Sequence, residues 1–137
     1  MPRVSSHFGL NDPRFQSVLM PMIVPVNLTA AATLTPTQLL GGYIIVNAAA
    51  GVNLTLPTAA SMCEAVQGAM VGTSFEFEVR AAGAGTATLV AAANTGVTLS
   101  GTATVATANT RTFLLNFTNV TIGQEAYTVL SRGTAPY

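Results

Sequence analysis

Ser74-Phe75-Glu76-Phe77-Glu78-Val79-Arg80 is the stretch that decides the fold class. Phe75, Phe77 and Val79 alternate with Glu76, Glu78 and Arg80, and side chains along a β-strand point to opposite faces with a period of two. The pattern predicts a strand with one buried and one wet face. Downstream, Thr86 to Ala91, Gly96 to Leu99, Thr102 to Ala106, Arg111 to Thr118 and Ala126 to Arg132 read as further strands, separated by Gly, Asn, Ser and Thr clusters. Turn signals at such regular short spacing are those of an all-β sandwich or barrel. GTATL at 85–89 returns as GTATV at 101–105, which marks two similar strand entries. Two copies do not make a solenoid, which needs at least three.

Upstream, Tyr43 to Asn47 and Val52 to Leu56 are strand-like on either side of a small-residue turn with Gly51, and predict a hairpin. Thr35, Pro36 and Gly41-Gly42 supply an N-cap, a first helical position and a stop, enough for about one turn. Met62, Ala65, Val66, Ala69 and Met70 fall at spacings of three and four, which predicts one helix at about 58–71, ended by Gly72. Met22 to Ala30 has the β-branched content of a strand, but Pro25 confines it to an edge or a bulge. Residues 1–20 carry two of the five arginines, the only histidine and the only aspartate, with almost no periodicity, and read as an extended N-terminal arm. The expected fold is mainly β: an antiparallel β-sandwich or barrel-like module with that one short helix, residues 21–137 forming a single domain behind the arm.

The 137 residues are 50% hydrophobic and only 7% charged, with formal net charge zero, where a typical soluble domain carries about 25% charged residues. Disordered chains show the opposite bias. Phosphate neutralisation needs clustered cations, and Arg3, Arg14, Arg80, Arg111 and Arg132 are dispersed, without a lysine in the chain; no nucleic-acid partner is expected. Val18 to Val26 is short and broken by Pro21 and Pro25, far from the roughly 20 apolar residues of a spanning helix. No membrane partner is expected, and the same stretch makes an unconvincing signal peptide.

Catalysis and metal binding need groups that converge. One histidine, His7, one cysteine, Cys63, and five carboxylates are a thin supply, so no enzyme, cofactor or metal site is expected. Glu76 and Glu78 share a strand face at about 6.5–7 Å of backbone, a separation that glycosidases use, but a charge row with Arg80 is the simpler reading. In Arg111 to Thr118, Phe113, Leu115 and Phe117 share one face while Leu114 stands on the other with Thr112, Asn116 and Thr118. That second face is uncharged. Small, uncharged side chains lose little rotamer entropy when covered, and a surface this poor in charge invites association, most simply in a symmetric homo-oligomer.

QLLGGYIIVNAAAGVNLTLPTAASM (38–62), GTSFEFEVRAAGAGTATLVAAANTGVTLSGTATV (72–105) and RTFLLNFTNVTIGQEAYTVL (111–130) together resemble small β-rich virion surface proteins of tailed phages and large DNA viruses. The resemblance implies a capsid decoration or fibre-type protein, commonly a trimer, located on the virion, made in the host cytoplasm and partnered by the major capsid protein or another shell protein. It carries over no catalytic residue. An arm joined to a short β module favours decoration of a shell over a long fibre. The expected contact residues are Arg3, Phe8, Arg14 and Phe15 in the arm and Glu76, Glu78, Arg80 and Leu114 on the strands. A filament built by strand exchange and a carbohydrate-binding module are the other readings.

Overall fold

The computed structural model describes residues 23–137; the arm at 1–20, with Arg3, Phe8, Arg14, Phe15 and His7, lies outside the described residues. The elements are β1 (Val26–Leu28), β2 (Ala32–Thr33), α1 (Pro36–Leu40), β3 (Tyr43–Val46), β4 (Val52–Thr55), α2 (Ala59–Ala65), β5 (Ser74–Ala81), β6 (Ala87–Val90), β7 (Val97–Ser100), β8 (Thr104–Val105), β9 (Asn109–Asn119) and β10 (Ala126–Pro136). They form a six-stranded sheet in the order β1-β3-β5-β9-β10-β7 and a four-stranded sheet in the order β2-β4-β6-β8. The fold is mainly β, as its alternating patterns indicate.

Three expectations are corrected. Both sheets are mixed rather than antiparallel, and both are open, so the module is not a barrel. The hairpin between 43–47 and 52–56 does not form: β3 pairs in parallel with β1 and β5, while β4 pairs in parallel with β2 and β6 in the other sheet. The helix expected at 58–71 stops at Ala65, because Val66 is extended and Gly68 takes a positive φ of 74°. Met62 is buried, but Ala65 and Met70 of the expected apolar face are exposed. The helix at Pro36–Leu40 makes a second one, held by a capping box in which Thr35 and Gln38 each bond the other's backbone.

The hairpin fails because the chain uses its small-residue turns to change sheets. Strand, corner and strand form a unit, and three units stack: Val26 pairs with Ile44 and Ile44 with Val79 in one sheet, while Ala32 pairs with Leu54 and Leu54 with Leu89 in the other. The backbone ladder continues around the corner. Ala82 N–H donates to the Val46 carbonyl at 2.8 Å, Gly85 N–H to the Ala48 carbonyl at 2.9 Å, and Val52 N–H to the Thr86 carbonyl at 2.9 Å. Such close stacking leaves no room for side chains: a Cβ on Gly83 would lie 2.2 Å from the Ala48 carbonyl oxygen, and one on Gly85 2.0 Å from that of Ala50.

The echoed segments meet. Ala87 pairs with Val105 and Thr88 with Thr104 in an antiparallel register, with the two threonine hydroxyls 3.0 Å apart. Pro25 does mark an edge. Val24 N–H and the Leu28 carbonyl bond toward the β3 side, so in a parallel ladder residue 25 faces outward, where its missing N–H removes a donor from the open edge.

One hydrophobic cluster joins the inner faces of both sheets and includes Ile44, Leu54, Met62, Phe77, Leu89, Phe113, Phe117 and Tyr127. Phe77 stacks on Phe113 with centroids 5.5 Å apart, and Phe117 meets Tyr127 edge-on at 6.2 Å. The Tyr127 hydroxyl donates to the Pro57 carbonyl at 2.6 Å inside this cluster, which ties the entry of α2 to β10.

Overpacking costs about 1–3 kcal/mol, so Gly83→Ala and Gly85→Ala should each lower stability at least that much in urea unfolding. Gly133→Ala, with nothing within 4 Å of its Cβ, should stay within about 0.5 kcal/mol of the native chain. Burial pushes the Tyr127 phenol well above its ordinary range. The unfolded tyrosine ionises near pH 10, so the stability this side chain contributes is intact below that pH and is lost as pH rises further. Tyr127→Phe should cost about 1–2 kcal/mol at pH 7 and flatten the alkaline part of the stability curve.

Candidate functional site

The outward face of the six-stranded sheet carries every strand residue expected to make contacts. Register sets it out in rows: Glu76, Leu114 and Leu130 are cross-strand neighbours, as are Tyr43, Glu78 and Thr112, and then Ile45, Arg80 and Thr110. The next row toward the other end is Ser74, Asn116 and Thr128, with Asn116 Nδ2 donating to Ser74 Oγ at 2.7 Å. Leu114 therefore stands beside Leu130, which is exposed, and the two make an apolar centre bordered by hydroxyl and amide groups.

The charges are arranged differently from the expected row. Glu76 pairs with Arg132, a neighbour supplied by a bulge between Ser131 and Gly133 in β10. Arg80 is taken by Tyr137: the guanidinium carbon lies 3.7 Å from the centroid of the ring, whose hydroxyl donates to the Ala81 carbonyl. Arg80 Nε is buried without a hydrogen-bond partner among the described residues. Glu78 borders a shallow groove of about 360 Å³ lined also by Thr110, Thr112, Gly133, Thr134 and Ala135. Exposed ion pairs contribute little, so what this face offers a partner is mainly its uncharged area.

Period-two reading puts Glu76, Glu78 and Arg80 on one face of their strand and Leu114 away from the core face of its own, and the β5–β9 pairing makes these one surface. The reading missed Arg132, Leu130 and Tyr137. Leu130 was legible from its alternation with Val129, but the bulge shifts Arg132 out of step, and the meeting of Tyr137 with Arg80 depends on β10 running back beside β9.

Cys63 is half-buried on α2, and its thiol is pushed up by burial and then by the nearby Glu125 carboxylate. That is the reverse of an activated nucleophile. Among the described residues no three His, Cys, Asp or Glu side chains gather where they could hold a metal ion, and no helix is long and apolar enough to cross a membrane. Comparison with protein families, curated proteins and solved structures finds no match to this chain.

Cys63 should react with iodoacetamide at pH 7.5 more slowly than a free cysteine peptide, followed by intact mass. Glu125→Gln should speed it by lowering the thiol pKa.

Proposed function

We propose that this chain is a non-enzymatic virion structural protein, a capsid decoration or cement protein that assembles as a symmetric homo-oligomer, a trimer, against a shell protein. In this reading the two sheets work as a sandwich-like module whose outward face is the subunit contact. The observation that supports it best is the Leu114–Leu130 centre with its rim of Thr, Asn and Ser. Interface cores are depleted in charge, and here Glu76 is already matched by Arg132 within the chain. The family resemblance of the three quoted segments supplies the virion setting and the trimer.

A second reading, a fibre subunit, draws support from a different surface, the apolar end of the molecule considered below. Strand addition at β1 is a poor route to it, because Pro25 withholds a donor there and β1 is only three residues long. A carbohydrate-binding module fits less well: of the exposed aromatics, the Tyr137 ring already carries Arg80 on its face.

Native mass spectrometry should find an oligomer at micromolar concentration. Covering one leucine is worth about 1.5–3 kcal/mol, so Leu114→Arg with Leu130→Arg should weaken assembly at least about tenfold while leaving the circular dichroism spectrum unchanged. A native chain that is monomeric under those conditions removes the proposal.

A further inference from the structure

Strand direction sorts the connections between two ends of the molecule. β1, β3, β5, β10 and β7 point one way and β9 the other, so the segments before β1, β3 and β5 and the turn from β9 to β10 share one end. Of the eight large apolar side chains exposed among the described residues, six lie there: Ile23, Val24, Leu40, Met70, Val71 and Ile122. Ile122 is 93% exposed, Met70 68% and Val71 67%. Val24 and Gly41 are joined by a backbone hydrogen bond of 2.9 Å, so the first three belong to one corner. Met70 and Val71 stand on a turn between Gly68 and Gly72, both at positive φ. An apolar end of this kind on a monomer marks a contact surface.

The opposite end is built from the sheet-changing corners and differs in both size and charge. Its exposed residues include Ala49, Ala50, Ala82, Ala84 and Ala106, apolar but small, so that large side chains can come close; the exception is Tyr137, half exposed and stacked on Arg80. Glu64 on α2 and Glu125 just before β10 are the charged groups among the described residues at the large-residue end, where Glu125 lies near Cys63 of the same helix. Arg80 and Arg111 lie in the last rows of β5 and β9 before the alanine end and outnumber Glu78, which stands one outward row further in, while Arg132 and Glu76 cancel each other. Two acidic ends oppose each other, whereas an acidic end and an arginine-bearing end attract.

We infer that a second copy of this chain covers the apolar end, with its alanine end seated on Ile122, Met70, Val71, Ile23 and Leu40, so that copies stack head to tail along the strand direction. The inference rests on the fibre reading. A head-to-tail contact is heterologous and does not close on itself unless its rotation brings it back to the start. It is directed along the strands, across the direction of the Leu114–Leu130 contact, so the two can coexist.

Sedimentation velocity of the full chain over a hundredfold range of concentration tests it. The native protein should grow beyond the sheet-face oligomer as concentration rises. Ile122→Asp with Met70→Asp should stop that growth, and Ala49→Glu with Ala82→Glu at the other end should stop it equally. Mixed together, the two double variants retain one good end each and should form one end-to-end joint and no more. Growth that survives either double variant overturns the inference, as does growth stopped by the first but not the second, or a mixture that does not associate. A native chain that never grows past its sheet-face oligomer also overturns it, yet leaves the sheet-face contact standing, because that contact is read from the Leu114→Arg and Leu130→Arg variant.

Discussion

The structure depends on a backbone constraint: the corner at 82–86 must lie directly on the corner at 47–51. The hydrogen bonds Ala82 to Val46, Gly85 to Ala48 and Val52 to Thr86 carry the ladder from one sheet to the other without interruption. A buried peptide group without a partner is costly, and here the corners satisfy one another. Residues 83 and 85 are glycine because a Cβ would overlap the neighbouring carbonyl. Once the corners stack, the strands on either side fall into register, and Ile44, Val79, Leu54 and Leu89 face a common interior.

The same constraint accounts for the surface. Corners that pack this closely are mostly Ala and Gly, so that one end of the molecule, Tyr137 apart, presents small side chains. The longer connections, which carry α1, α2 and the turn after β9, all fall at the other end, and that is where the exposed large apolar residues collect. Strand polarity therefore produces an asymmetric particle, with a different surface at each end and, between them, a third face whose centre is Leu114 and Leu130.

Scarcity of charge is the chemical counterpart. With Glu76 committed to Arg132 and Arg80 held against Tyr137, few ionic groups are left to keep surfaces apart. Cys63, raised by burial and by Glu125, is placed as a core-side thiol. What the described surface offers is chiefly shape and apolar area.

Local patterns in the chain determined the β class, the two faces of β5 and β9, the edge position of the strand after Pro25 and the capped turn at Thr35, because alternation, proline geometry and capping act over a few residues. They also put Glu76, Glu78 and Arg80 on one face of β5 and Leu114 away from the core face of β9, while the pairing of the two strands joined these into one surface. Only tertiary structure decided that Tyr43–Val46 and Val52–Thr55 belong to different sheets, since a short turn of small residues serves a hairpin and a corner equally well and long-range pairing makes the choice. The stacked units were hidden because their spacing is irregular, 18 residues from Val26 to Ile44 and 35 from Ile44 to Val79. The partners of Arg80 and Glu76, and the gathering of Ile23, Met70 and Ile122 at one end, follow from strand direction, a property of the sheet as a whole that no segment carries alone.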